Sequence, residues 1–143
     1  MAEVVKNKFG TLVGWNKVTI HAMGRDFEGV TKFKYEDTVA LENAYGANKF
    51  PVGKEEGNYE CSASISLFKE ELIGMQRSLK PGGRIQDIEF DVICEYELND
   101  GTIYKDITRN ARAKNNGIEV TQGDGKIVTD LELVPSHIDW NVI

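Results

Sequence analysis

The clearest structural signal in the chain is the run NYECSASISL at Asn58–Leu67. Its positions alternate strictly between two classes of side chain. The set that would face a core is Tyr59, Cys61, Ala63, Ile65 and Leu67. The set that would face water is Glu60, Ser62, Ser64 and Ser66. Strict alternation over this length is typical of a half-buried β-strand, so we predict that the chain is built around a sheet.

Strand patterns also dominate the sequence on both sides of this run. Upstream, strands are predicted at Thr11–Ala22 and Phe27–Tyr35, with a turn at Met23–Asp26 between them. Downstream, the predicted strands are Asp87–Leu98, Thr102–Arg109, Ile118–Thr121 and Lys126–Val134, the last two joined by a turn at Gly123-Asp124-Gly125. We therefore expect a mainly antiparallel β sandwich or barrel.

One helix is predicted to pack on this sheet structure, at Lys69–Leu79. Apolar residues recur at helical spacing within it, and Glu70 and Glu71 suit the positive end of the helix dipole. Pro81 and the glycines after it end the pattern.

Residues 39–57 show no clear period and contain Gly46, Pro51, Gly53 and Gly57. They are predicted to form a long irregular loop between two strands. Loops of this length inside a compact domain are usually functional or ordered by a partner.

The hairpin at Asp87–Arg109 allows its register to be predicted. If Asn99-Asp100-Gly101 forms a three-residue loop, Ile93 lies opposite Ile107 and Glu95 lies opposite Lys105. A two-residue loop would instead set Glu95 against Asp106, a repulsive pair, so we expect the first register.

Length and charge limit the classes of function. The 143 residues suit a single domain spanning 1–143, and no apolar run is long enough to cross a membrane. The N-terminal residues show no signal-peptide pattern, so we expect the chain to be made and kept in a cytoplasm, or to leave it by a route other than a cleaved signal. The net charge of −6 argues against specific nucleic-acid binding.

The residues that could carry chemistry do not form a catalytic or metal-binding pattern. His21 and His137 have no ligand-spaced neighbours, and Cys61 and Cys94 fall on apolar strand faces, where reduced, buried thiols are expected. Carboxylates two residues apart on a strand are ~7 Å apart, a glycosidase-like spacing, but the sequence indicates no concave site. We expect no enzyme activity, no cofactor and no metal.

Several segments, read in order, resemble the tail tube proteins of contractile phages and phage-like injection particles. They are Trp15–Thr19, Gly29–Tyr35, Asn43–Ala47, Pro51–Gly53, Gly57–Glu60, Ile65–Leu67 with Glu70–Leu72, and Phe90–Val92 with Tyr96. The similarity covers about residues 10–135 and extends to the order of strands, long loop and helix. It implies a phage tail tube-like fold.

The resemblance also implies an assembly and its partners. Six copies would form a ring whose strands close one inner β-barrel, and rings would stack into a tube. The partners implied are a contractile sheath protein, baseplate and tail terminator proteins, a tape measure protein during assembly, and DNA or an effector that passes without specific binding. The location implied is a virion tail or an extracellular phage-like particle assembled in the bacterial cytoplasm.

Two sets of residues follow as candidate sites if the chain forms such a tube. The channel is predicted to be lined by Glu28, Lys32, Lys34, Glu60, Ser62, Ser64 and Ser66, with the acidic face of Asp87–Glu97 as the competing liner. The ring-stacking loop is predicted to use Glu42, Asn43, Tyr45, Gly46, Phe50 and Pro51. The alternatives are a ligand- or carbohydrate-binding β sandwich, the tube of a headless injection apparatus and, third, a glycosidase-like enzyme.

Overall fold

The computed structural model describes residues 13–123 and 125–142, and within them the chain forms eight β-strands and one α-helix. The first strands are β1 (Val18–Ala22), β2 (Arg25–Phe27), β3 (Val30–Tyr45) and β4 (Pro51–Phe68). Helix α1 (Lys69–Arg77) follows, and then β5 (Glu89–Glu97), β6 (Ile103–Arg112), β7 (Val128–Leu133) and β8 (His137–Asp139). Thr11 and Leu12 of the first predicted strand, and Asp124 of the predicted turn, lie outside the described residues. The mainly β prediction with one packed helix is confirmed.

The described strands form two antiparallel sheets that pack face to face. The five-stranded sheet has the order β2-β1-β5-β6-β8, and the three-stranded sheet has the order β3-β4-β7. Alternate residues from both sheets fill the space between them, and α1 adds Leu72 and Met75 to the same core. In the three-stranded sheet, Ala63, Ile65 and Leu67 of the central run are buried, as the alternation predicts.

The chain changes sheets where one continuous strand, Phe27–Tyr35, was expected. β2 pairs with β1, whereas β3 pairs with β4, and Gly29 lies at the crossover. The Gly29 N–H donates to Glu71 Oε2 of α1 at 2.8 Å. A Cβ at position 29 would lie 2.8 Å from the Glu71 Cβ, so this approach of helix and crossover requires glycine.

Helix α1 begins directly after β4 and ends two residues before the predicted Leu79. The Ser78 hydroxyl donates to the Met75 carbonyl at 2.6 Å, so this carbonyl has a partner although the helix does not continue for another turn. No helix among the described residues has the length and apolarity needed to cross a membrane.

The predicted irregular loop at residues 39–57 is instead the outer half of a hairpin. β3 and β4 remain paired as far as Tyr45 opposite Pro51, and only residues 46–50 connect them. A register shift opposite Ala40, where Gly57 lies, interrupts the alternation that would have revealed the strands. Pro51 is tolerated because it begins its strand.

The predicted register of the β5–β6 hairpin is confirmed. Ile93 lies opposite Ile107, and Glu95 lies opposite Lys105. Gly101 has a φ of 88°, as the three-residue loop requires. One other expectation is wrong, because Ile118–Thr121 is not a strand. The structure also contains β8, which pairs with β6 and was not predicted.

Candidate functional site

Six of the seven residues predicted to line a channel share one face of the three-stranded sheet. Lys32 lies opposite Ser66, and Lys34 lies opposite Ser64. They alternate along β3 and β4 with residues that face the core, so they point away from it. These six residues are Lys32, Lys34, Glu60, Ser62, Ser64 and Ser66, and we call this surface the polar face.

Glu28 is the predicted residue that does not belong to the polar face. It lies in the crossover between β2 and β3, outside any strand, and its side chain is exposed. It borders a separate hollow beside Trp15 and Phe27. The structure therefore separates Glu28 from the other six.

The polar face extends to five further residues that the sequence did not assign to it: Glu36, Thr38, Lys114, Asp130 and Glu132. Asp130 accepts a hydrogen bond from the Ser66 hydroxyl at 2.5 Å, and Glu132 lies opposite Ser64. The sequence signal that could have placed Asp130 and Glu132 on this face is their alternation with Leu131 and Leu133, which are buried in the structure.

Positive and negative charges are interleaved on the polar face. It carries three lysines, Lys32, Lys34 and Lys114, and four carboxylates, Glu36, Glu60, Asp130 and Glu132. Lys34 Nζ lies 3.7 Å from Glu36 Oε1, and Lys114 Nζ lies 3.9 Å from Glu132 Oε2. Between these two pairs is a shallow hollow of about 270 Å³. The face is hydrophilic but almost neutral.

Neither the polar face nor any other described part of the chain has a metal-binding cluster of three or more His, Cys, Asp or Glu residues. Among the described histidines, His21 is paired with Asp26 at 2.8 Å, and His137 contacts the Ser136 hydroxyl at 2.9 Å. These contacts hold strand ends and surface turns.

Both cysteines are free and lie in different sheets. Burial raises the pKa of the Cys61 thiol and that of the Cys94 thiol. The thiolate is the nucleophilic form of cysteine, so burial makes both residues poor nucleophiles. Cys94 is buried as expected, whereas Cys61 is only half-buried, and the reduced state of both thiols stays a prediction.

The acidic face of β5, the competing channel liner, is partly neutralised by basic residues of its partner strand β6. Arg109 forms ion pairs with Asp91 at 3.1 Å and with Asp139 at 2.8 Å, and its pKa is raised by the hydrogen bonds to both carboxylates. Lys105 lies 3.6 Å from Glu95. The carboxylates of this face (Asp87, Glu89, Asp91, Glu95 and Glu97) still outnumber the three bases of β6 (Lys105, Arg109 and Arg112), so part of the surplus of acid that the sequence indicated remains.

β3 and β4 extend beyond the two-sheet body as a two-stranded arm, which we define as residues 38–60. The predicted ring-stacking residues all lie on its outer part: Glu42, Asn43, Tyr45, Gly46, Phe50 and Pro51. Lys54 Nζ donates to Asn43 Oδ1 across the two strands at 3.0 Å. The arm exposes six large apolar side chains, by 41–72%: Val39, Leu41, Tyr45, Phe50, Val52 and Tyr59.

The base of the arm is fixed to the body by the C-terminal segment. Asp37 Oδ2 accepts hydrogen bonds from the Tyr59 hydroxyl at 2.8 Å and from the Trp140 indole N–H at 2.9 Å. The same Tyr59 hydroxyl accepts the backbone N–H of Ile138 at 3.1 Å. The Trp140 ring also packs on Tyr35, with ring centroids 5.4 Å apart. These contacts hold the direction in which the arm leaves the body.

A partly buried hydrogen-bond network joins the two sheets next to the base of the arm. The Tyr35 hydroxyl donates to Asp106 Oδ2 at 2.6 Å and lies 2.5 Å from the Tyr96 hydroxyl. Burial raises the pKa of Tyr96 to about 12, and burial together with the hydrogen bond to Asp106 raises that of Tyr35. Both phenols therefore stay neutral at physiological pH and act as fixed hydrogen-bonding groups.

Solved structures of similar fold belong to contractile and phage-like particles. A chain of the sheath-tube complex of an extracellular contractile injection system (PVC, extended state) matches with a TM-score of 0.63 at 10% identity, over 92% of this chain and 93% of that chain. A chain in the structure of the anti-feeding prophage tube terminating cap matches with a TM-score of 0.62 at 10% identity, over 99% and 97%. A chain from the virion of a native gene transfer agent particle matches with a TM-score of 0.56 at 9% identity, over 90% and 98%.

The chain has a phage-tail-like fold. No family model and no curated protein sequence matches it. These three matches cover 90% or more of this chain and of each similar chain. At about 10% identity they describe the backbone arrangement, and the chemistry of the surfaces must be read from this chain's own residues.

Proposed function

We propose that this protein is a structural subunit of the inner tube of a contractile tail. Copies of the chain would form rings of six, and the rings would stack around a channel for DNA or an effector. A sheath protein would surround the tube, baseplate and tail terminator proteins would close its ends, and a tape measure protein would occupy the channel during assembly.

The arm is the observation that carries this proposal. Its eight β3 residues from Thr38 to Tyr45 extend about 26 Å at ~3.3 Å per residue. A two-stranded hairpin alone is only marginally stable in water, and this one exposes six large apolar side chains. An arm of this kind is stabilised when it packs on another copy of the chain.

The edges of the three-stranded sheet supply a second reason for self-assembly. β3 and β7 are its outer strands: the far side of β3 has no neighbouring strand in the described chain, and that of β7 carries only the bridge between Ala113 and Leu133. Open edges attract further strands. A head-to-tail contact between identical copies closes into a ring when its rotation permits, and stacking of rings then gives a filament.

The polar face suits the inside of such a tube. Short hydroxyls and paired charges keep it wet, and its four carboxylates against three lysines give no strong attraction for a polyanion. Six copies of a chain with net charge −6 carry −36 in all, which disfavours tight binding of DNA as it passes. Cargo would therefore slide through the channel.

The similar structures include a tube terminating cap, so a ring that ends a tube is the second candidate role. Electron microscopy of the purified protein at high concentration separates the two roles. A tube subunit forms stacks of many rings, whereas a cap forms single rings. A monomer at every concentration contradicts both.

A shortened arm tests the contact that we propose. Replacing residues 41–56 with a Gly-Ser bridge keeps Asp37 and Tyr59, which bind the C-terminal segment. We expect a native-like circular dichroism spectrum and no tubes. A second variant, Phe50→Ser with Val52→Ser, keeps the hairpin and removes two exposed apolar groups, and its matched control is Asn48→Ser in the connection. Tubes that form at the wild-type concentration in both arm variants would show that the arm is not a subunit contact.

A further inference from the structure

We infer that residues 113–119 become a fourth strand of the three-stranded sheet when β3 of a second copy pairs with them. This rests on the proposed ring. In the isolated chain the segment starts to pair with β7 and then stops. The partner that completes it is a second copy of this chain.

The directions of the strands supply the first argument. β3 and β7 are both antiparallel to β4, so they point the same way. Rotation about a ring axis preserves strand direction along that axis. With three strands per copy, each junction would place β3 parallel to β7 of the next copy. A fourth strand antiparallel to β7 makes every neighbouring pair in the ring antiparallel, which is the more stable pairing.

The start of this fourth strand is already formed. Ala113 and Leu133 make an isolated antiparallel bridge. The Lys114 N–H donates to the Glu132 carbonyl at 2.7 Å, and the Val134 N–H donates to the Arg112 carbonyl at 2.9 Å. These are the hydrogen bonds of a regular antiparallel ladder, and they fix its register.

Continuing that register brings complementary side chains together on the polar face. Lys114 lies beside Glu132 already, and the next outward pairs would be Asn116 with Asp130 and Ile118 with Val128. Each is a favourable cross-strand pair: ionic, hydrogen-bonding and apolar in turn. The hairpin would close through the turn around Gly123, whose φ is 93°.

The ladder stops after one bridge because of Asn115. Its side-chain Oδ1 accepts the Glu132 N–H at 2.8 Å, the N–H that would bond to the Lys114 carbonyl in a closed ladder. Beyond this point residues 115–121 are in no helix or strand. Ile118 and Val120 are exposed by 47% and 71%, respectively.

An open space marks where the hairpin has yet to close. A gap of about 490 Å³ lies between Glu119 and Thr121 on one side and Lys126 to Val128 on the other. A neighbouring β3 edge beside residues 113–119 would satisfy their free backbone groups and offset the entropy lost on ordering them.

A disulfide tests the inferred pairing. In the closed ladder, Ile118 and Val128 would be opposite residues of a hydrogen-bonded pair with Cα atoms ~5.5 Å apart, within disulfide range. The variant Ile118→Cys with Val128→Cys is oxidised in isolated subunits and in tubes. We expect disulfide formation about tenfold faster in tubes, because pairing holds the two thiols together.

The matched control is Glu119→Cys with Val128→Cys, whose side chains would point to opposite faces of a closed hairpin, and it should not respond to assembly. The wild-type chain controls for Cys61 and Cys94. Equal rates in tubes and subunits, or equal rates for both cysteine pairs, would overturn the inference while leaving the tube itself intact. Absence of tubes would instead remove the proposed function.

A second variant tests whether Asn115 ends the ladder between residues 113–119 and β7. Asn115→Thr removes the amide that caps Glu132 and introduces a β-branched residue that favours strands. We expect the Ile118→Cys/Val128→Cys disulfide to form faster in isolated subunits that carry Asn115→Thr. An unchanged rate would mean that Asn115 does not hold the ladder open.

Discussion

Glu71 is a carboxylate of the first turn of α1 that faces into the protein. Its side chain is only 8% exposed, forms an ion pair with Arg25, and accepts the Gly29 N–H at 2.8 Å. Arg25 also donates to the Glu71 carbonyl at 3.3 Å and lies over the Phe27 ring. One residue thus fastens the helix to the crossover between the two sheets.

Glu71→Ala is expected to lower the free energy of unfolding by about 2 kcal/mol. This is less than the ~3–5 kcal/mol lost when a fully buried pair is broken, because Arg25 keeps contact with water. Glu71→Gln retains an acceptor for Gly29 and should lose less. Urea unfolding measures both, with exposed Glu70→Ala as the control. A loss no larger than that of the control would contradict the role of Glu71.

Tyr96 makes the stability of the fold sensitive to alkali. Its pKa is about 12 in the folded chain, raised mainly by burial, against ~10 when unfolded. Above pH 10 the unfolded chain therefore binds fewer protons, and the free energy of unfolding falls as the pH rises towards 12. Tyr96→Phe should make this decline shallower between pH 9 and 11, measured by urea unfolding. Tyr45→Phe, on the exposed arm, should keep the wild-type slope, and identical slopes in all three proteins would refute the assignment.

The arm depends on one close contact between its two strands. At the register shift in β4, a Cβ on Gly57 would lie 2.8 Å from the Cβ of Ala40, which no rotamer change can relieve. Glycine at this position lets the strands stay together through the irregularity. The direction of the arm is thus set at two places, this shift and the C-terminal contacts at its base.

Gly57→Ala is expected to disrupt tube formation without unfolding the body. The added methyl group must push β3 and β4 apart at the shift, and this changes the course of the arm beyond it. The free energy of unfolding should change by less than about 0.5 kcal/mol, because the arm contributes little to the core. Gly53→Ala is the matched control, since a Cβ there meets no atom within 4 Å. Normal tubes from Gly57→Ala, seen by electron microscopy, would show that the arm tolerates the change.

Across the whole molecule, the two sheets differ in their outward surfaces. The three-stranded sheet carries small hydroxyls between interleaved charges, whereas the five-stranded sheet carries salt-bridged acids such as Asp91 and Glu95. The arm belongs to the three-stranded sheet, whose outer strands are β3 and β7. If copies join through those strands, the polar face becomes the continuous inner wall.

Thiol labelling tests which surface faces the channel. Ser62→Cys should react quickly with a bulky thiol reagent in isolated subunits and slowly in long tubes with closed ends, because the wall excludes the reagent. Glu97→Cys, on the five-stranded sheet, should react quickly in both states. Wild-type protein measures the reaction of Cys61 and Cys94. Fast labelling of Ser62→Cys along intact tubes would place the polar face outside.

The sequence predicted those parts of the fold that depend on local periodicity and short turns. Alternation at Asn58–Leu67 identified the central strand and its polar side. The turn around Gly101, together with the charges of Glu95 and Lys105, was sufficient to predict the β5–β6 register. Six of the seven proposed channel residues fell on one face for the same reason, since side chains two apart on a strand share a side.

Tertiary structure alone decided what depends on partners distant in the chain. The arm could not be predicted from the sequence because a register shift and glycines interrupt the alternation of its strands. Its pairing is seen only in the folded chain, where the two strands lie side by side. Glu28 lies outside the polar face because the neighbouring Gly29 is hydrogen-bonded to Glu71, 43 positions after Glu28, and this bond fixes the crossover between the sheets. β8 exists because the edge of β6 is open to it and because Trp140 reaches Asp37. Such contacts join residues with no local pattern in common, so only the folded chain specifies them.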